Sequence, residues 1–238
     1  MSSLAARVYG VIRRPRATLS AIVQSPSWAP ILGATTAVMF LCGIAFLGTD
    51  VGQQALVDQW ERTATAFGQP VDDESYAQME LRARSGAFDV GYAAVTALAS
   101  GPVLVFSVSG LLFVLLKRRG MAPGSRPSFA QVLAVVSYAN VILALRQIVA
   151  TPIDYVRESI ASPTTLVQLF SMLDEASPVA RFLGIVDLFV IWWIVVLAIG
   201  VSILYQRSTR RVALVFTGAY VVLALLAALA MAISGGAA

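Results

Sequence analysis

Residues Val186–Tyr205 read VDLFVIWWIVVLAIGVSILY, an apolar run whose single formal charge, Asp187, stands next to its first residue. At about 1.5 Å of rise per residue the run is long enough to cross a hydrocarbon core of about 30 Å. A span is the only fold element that uses such a stretch without a large soluble core around it. Trp192 and Trp193 lie deeper than an interfacial belt, whereas Tyr205, Gln206, Arg207, Arg210 and Arg211 mark a water boundary. Composition agrees: 58% apolar residues, 13% charged residues and a mean hydropathy of +0.79 lie outside the range of soluble domains. The chain reads as an all-α, polytopic membrane helix bundle.

Four further apolar stretches accompany the first, giving five spans at about 29–47, 92–116, 129–150, 183–205 and 212–233. Residues 1–28 hold Arg7, Arg13, Arg14 and Arg16 and no acid. With Leu4, Val8, Val11 and Ile12 at helical spacing opposite Arg7 and Arg14, they predict a short amphipathic helix lying on the membrane. A cleavable signal would have its apolar core nearer the start, so the N-terminus is expected to be retained. The polar segments 49–91 and 151–182 predict extramembrane elements, with helices near 53–67 and 73–83 separated by Gly68-Gln69-Pro70. Asp72, Asp73 and Glu74 suit the positive end of the second helix better than a calcium loop, whose twelve-residue pattern they do not follow. Gly33 and Ala37, and Ala224, Ala228 and Ala232, recur every four residues as candidate close-packing faces.

Proline in the second span, within Ser100-Gly101-Pro102, removes a backbone donor and predicts a helix kink at Gly101 and Pro102. The third span is the most polar, with Gln131, Ser137, Asn140, Arg146 and Gln147. Asn140 and Gln147 share a helix face with Ala144 and are expected to look into the bundle and hydrogen-bond across it.

Charge sets the orientation. The N-terminal segment, the 117–128 turn and the 206–211 turn together carry eleven basic residues and no acid, whereas 49–91 and 151–182 carry five basic residues and twelve acids. The positive-inside rule makes the N-terminus and both turns cytoplasmic and the C-terminus extracytoplasmic. Lys117, Arg118, Arg119, Arg207, Arg210 and Arg211 then face the inner headgroups, where anionic lipids are candidate partners. Arg146 and Asp187, the two charges inside the expected spans, stand at similar depth near the outer boundary. Ionisable residues there are candidates for a functional role. An ion pair completed by Asn140 or Gln147 and separate snorkelling to the interface are both open.

The motif Asp187-Leu188-Phe189-x-x-Trp192 followed by Ile199-Gly200 resembles the fourth span of the Yip family. The Pro15…Ser25-Pro26-Ser27-Trp28-Ala29-Pro30 approach to the first span and Phe129-x-x-Val132…Ser137-Tyr138-Ala139 in the third agree with it. The likeness covers most of residues 10–230 and is to prokaryotic members, so a prokaryotic inner membrane is the expected location. Eukaryotic members interact with Rab-type GTPases, but their long N-terminal region and tyrosine- and glycine-containing signatures are not matched, so that role is not implied. The resemblance implies an all-helical multi-pass domain acting as an oligomer or adaptor in membrane organisation or trafficking, without catalytic residues.

An enzyme is disfavoured by the residues themselves. The chain has no histidine and one cysteine, Cys42, within an apolar segment. It lacks HExxH, a second intramembrane aspartate for a dyad, and a phosphate-binding loop. No cofactor or metal is expected. Transport is the alternative, along a polar path through Ser100, Gly101, Pro102, Asn140, Arg146 and Asp187, although no inverted repeat is visible. Expected partners are the lipid bilayer and a second copy or another membrane protein. Nucleic acid is not among them, because the basic residues are divided between turns and form no single groove.

Overall fold

Local chemistry sets most helix ends. The computed structural model describes residues 3–116, 126–160, 162–169 and 178–235. They form α1 (Leu4–Arg13), α2 (Pro15–Gln24), α3 (Ala29–Leu47), α4 (Asp50–Ala66), α5 (Asp73–Ala83), α6 (Gly86–Leu98), α7 (Leu104–Leu116), α8 (Phe129–Ala139), α9 (Val141–Val156), α10 (Pro178–Ile185), α11 (Leu188–Tyr205) and α12 (Thr209–Gly235). Ser3 accepts the Ala6 amide at the start of α1, Thr49 accepts the Gly52 amide before α4, and Asp72 accepts the Ser75 amide before α5. Each side chain satisfies an amide that the first helical turn leaves without an internal acceptor. Asp72 is held below the usual carboxylate range by its hydrogen bonds from Ser75. Gly68 closes the α4 end at φ 72°, a conformation that glycine adopts without a Cβ penalty.

No β-strand occurs among the described residues, and five helical stretches are long and apolar enough to cross a membrane. They are Ala29–Leu47, Gly86–Leu115, Phe129–Val156, Leu188–Tyr205 and Thr209–Ala230. Four of the five spans differ in their bounds from expectation. The second span starts at Gly86 instead of 92, because Ser85 Oγ accepts the Phe88 amide and starts the helix before the aromatic residues. The third runs through Pro152 to Val156 instead of stopping at 150. The fourth starts at Leu188 instead of 183, since Val186 and Asp187 separate it from α10, and the last starts at Thr209 instead of 212. Asp89 and Asp154 therefore join Arg146 inside continuous span helices, whereas Asp187 stands just before one.

The chain divides into two compact units, each drawing on several spans. One comprises Met1–Met39, Ala97–Leu145 and Phe189–Gly218. Its core surrounds α8, in which every residue from Val132 to Ala139 is buried. Val11 of α1, Leu19 and Ile22 of α2, Val105 and Leu112 of α7, and Val196, Leu197 and Val201 of α11 belong to the same core. Of the apolar stripe of α1, Val11 is buried in this core and Val8 and Ile12 pack against it, whereas Leu4 is exposed. The connection to α2 permits this packing: a Cβ on Gly10 would collide with Thr18 Oγ1, so the two short helices fold closely together. At Gly200 a Cβ would collide with Val135 Cγ1, which makes glycine the residue that lets α11 approach α8. Gln131, one of the polar residues of the third span, closes a capping box with Ser128, and its Nε2 donates to Val23 O at 2.9 Å.

The second unit comprises Phe40–Thr96, Arg146–Leu188 and Ala219–Ala238. Phe46, Leu47, Ala55, Leu56 and Ala93 form its apolar cluster, with Trp60 set edge-on to Phe88 at 5.6 Å between ring centroids. Phe67, the last residue of the helix expected near 53–67, occupies the cap position beyond α4 and is 53% exposed.

Candidate functional site

Asp187 is the hub of the densest polar cluster in the second unit. The chain leaves helical geometry between α10 and α11, and its backbone pairs there with the segment before a 3₁₀ turn at Leu166–Leu169. The Leu166 amide donates to Val186 O at 2.8 Å, and the Leu188 amide donates to Thr164 O at 3.0 Å. The Asp187 amide donates to Tyr220 Oη at 3.1 Å, and Tyr220 Oη donates to Ile185 O at 2.7 Å. One phenol therefore satisfies a donor and an acceptor that the helix break exposes.

The Asp187 side chain is 5% exposed and that of Arg146 is 30% exposed. Arg146 Nε donates to Asp187 Oδ2 at 2.7 Å, Thr164 Oγ1 donates to the same oxygen at 2.6 Å, and Ser162 Oγ donates to it at 3.0 Å. Arg146 Nη2 also donates to Ser162 Oγ at 2.7 Å. Each hydroxyl has one proton, and when both point at the carboxylate, the 3.0 Å Ser162–Thr164 contact is between two acceptor oxygens held by the guanidinium. A buried carboxylate left unpaired is strongly destabilising, whereas one with a guanidinium and two hydroxyl donors is satisfied. The cluster can fix three chain segments to one another. Its single acid is occupied by donors, which disfavours proton transfer.

Neither Asn140 nor Gln147 belongs to this cluster. Gln147 turns along its own helix, with Nε2 3.4 Å from Thr151 Oγ1. Asn140 lies in the other unit, at the break between α8 and α9, and is fully buried; among the described residues neither of its side-chain polar atoms has a hydrogen-bond partner. Their shared face does not give them a common partner: Asn140 stands where α8 gives way to α9, and Gln147 bonds within α9. Ser162 and Thr164, which complete the cluster instead, were missed. Their signal was the hydroxyl-rich Ser162-Pro163-Thr164-Thr165, but a contact spanning more than twenty residues has no local pattern.

The helix is disturbed at the predicted place in the second span. A π-helical turn occupies Ala99–Val103 around Pro102 and joins α6 to α7. The wider turn accommodates a residue without an amide proton. Gly101 is buried against Thr36, and Ser100 Oγ lies 3.3 Å from Met39 Sδ. Of the basic turns, Arg207, Arg210 and Arg211 are exposed, while Lys117, Arg118 and Arg119 lie outside the described residues. Among the close-packing faces, Ala224 and Ala228 are buried, so that face of α12 is used within the chain, whereas Gly33 and Ala37 are exposed.

Comparisons with curated proteins and with solved structures find no match. The family model of the Yip1 domain matches residues 9–231, nearly the whole chain and all five candidate spans. The Asp187-Leu188-Phe189 hub, the Gly200 contact and the Ser25–Pro30 approach all fall inside that match, and the chain belongs to the Yip1 domain family.

Proposed function

We propose that this integral membrane protein is a non-enzymatic structural or adaptor component of the membrane, working through contacts of its helices with other membrane proteins or a second copy of itself. The observation that carries the reading is the outward face of the last span. Of its most apolar window only 11% is buried, against 67% for the third span. Leu214, Val215, Val222, Leu223 and Leu226 are all more than half exposed, while the alanine face is turned inward. A span held along one narrow face leaves most of its circumference for lipid or a partner helix. Family membership also suggests a protein without catalysis. Transport gains less support, because the charges expected to line its path, Arg146 and Asp187, are bound to each other.

The segment 1–28 and the membrane region 29–233 form the working division of the chain. The N-terminus and the basic turns face the cytoplasm and the C-terminus faces the other side, in a prokaryotic inner membrane. A photo-crosslinking residue at Leu223 or Leu226, activated in native membranes, tests the reading. A discrete adduct of defined mass, lost when the probe is moved to the buried Ala224, is expected. Lipid adducts alone, together with solute flux in liposomes that Pro102→Ala abolishes, would overturn it in favour of transport.

A further inference from the structure

A cavity of about 610 Å³ opens in the first unit, where Leu4 and Arg7 of α1, Ser25 and Ser27 of the α2–α3 connection, Pro30 of α3 and Tyr138 of α8 converge. Its volume is in the range of small-molecule sites. Leu4, Pro30 and the Tyr138 ring make the walls apolar, Arg7 supplies a cation, and Ser25 and Ser27 supply hydroxyls. No carboxylate is among the described residues that line it. Tyr138 is 1% exposed, and its hydroxyl accepts from Arg7 Nη1 at 3.5 Å, which steadies the guanidinium at the cavity wall.

Height narrows the ligand class. Ser27 and Pro30 bracket the first residue of the Ala29–Leu47 span, whereas Tyr138 lies well inside the Phe129–Val156 span, so the cavity runs from the edge of the apolar region inward. Trp28 stands between them and meets Phe106 edge-on at 5.7 Å between ring centroids, as an interfacial aromatic does. The start of α3 adds the positive end of a helix dipole. A ligand complementary to this site has a negative headgroup and an apolar body. A guanidinium flanked by hydroxyls suits phosphate.

We propose that this cavity binds the headgroup phosphate of an anionic membrane lipid. Arg7 is the charged ligand, Ser25 and Ser27 are hydroxyl donors, and Leu4 and Pro30 receive the upper part of the lipid. The site is independent of the adaptor reading, since it needs no protein partner. It also differs from a diffuse basic surface, because one arginine of the segment lines the cavity while the exposed Arg14 does not.

The test is native mass spectrometry of the full chain in detergent, titrated separately with dioctanoyl phosphatidylglycerol, dioctanoyl phosphatidylcholine and inorganic phosphate. Saturable binding of phosphatidylglycerol over phosphatidylcholine is expected. Arg7→Gln should weaken it about tenfold, the loss of one charge-assisted contact, and Arg14→Gln should change it less than about twofold. Ser27→Leu, which fills the cavity without changing charge, should also weaken it, and it decides the matter should Arg7→Gln fail to fold. Equal losses in Arg7→Gln and Arg14→Gln, or unchanged binding in Ser27→Leu, overturn the proposal. Inorganic phosphate competing as well as the lipid would make this a free-phosphate site and overturn the lipid assignment.

Discussion

Asp187 and Asn140 are both buried polar residues of the membrane region, and they are treated in opposite ways. Around Asp187, a guanidinium and two hydroxyls converge on one carboxylate oxygen. Around Asn140, which is fully buried beside α8, neither amide atom finds a partner among the described residues. The difference follows from the neighbours. Asp187 adjoins a break where two segments pair outside helical geometry, so side chains from a connecting segment can reach it. Asn140 is embedded among residues of α8 that are buried on every side and nearly all apolar. For these two buried residues, the irregular segment beside one and not the other decides whether the burial is compensated.

The largest expected effect is loss of the Asp187 partner. Arg146→Ala leaves a carboxylate of 5% exposure without its guanidinium and should lower stability by about 3 kcal/mol, read as a fall in the thermal midpoint in detergent. A fall below about 1 kcal/mol would remove the contrast with Asn140. The charge exchange Arg146→Asp with Asp187→Arg should recover only part of that loss, because an arginine at 187 cannot accept the hydrogen bonds that Ser162 and Thr164 donate to the Asp187 carboxylate. Full recovery would show that the hydroxyls contribute nothing.

Thr164→Val, which removes the shortest of the three contacts to Asp187, should cost about 1–2 kcal/mol in the same measurement. Asn140→Leu should go the other way, neutral or stabilising by up to about 1 kcal/mol, since it replaces unpaired polar atoms by apolar ones of similar size. Destabilisation there would mean that a bound water or another group satisfies the amide.

The smallest effect lies outside the membrane. The Asp72 carboxylate titrates lower in the folded chain than the ordinary 3.8. Its contribution to the start of α5 is therefore complete above the unfolded pKa and is lost as pH falls through the depressed folded value. Amide exchange at Ser75, corrected for intrinsic rate, should stay protected near pH 5 and quicken near pH 2, and Asp72→Ala should abolish that dependence.

The local features of the fold were legible in the chain. Uninterrupted apolar length identified each span, Pro102 located the π-helical turn, and Asp72 and Gly68 marked helix ends, because each acts on its immediate neighbours. Contacts that depend on tertiary reach were not legible. The amphipathic face of α1 is apolar by its periodicity, which does not say what covers it: Val11 is buried in protein while Leu4 is exposed. The four-residue spacing of alanines in α12 marked a close-packing face, and Ala224 and Ala228 are buried, but the spacing could not name what they pack on.

What the sequence determined alone is a membrane-embedded, all-helical chain of five spans, with basic turns and acidic connections on separate segments. Transfer from water to hydrocarbon depends on composition over about twenty residues, which any stretch carries in itself. Only the tertiary structure decided that Asp187 meets Arg146, Ser162 and Thr164, that Asn140 meets none of them, and that Arg7 joins Ser25, Ser27 and Tyr138 around one cavity. Those arrangements depend on where non-helical segments return in space, and hydrogen bonds act only over about 3 Å.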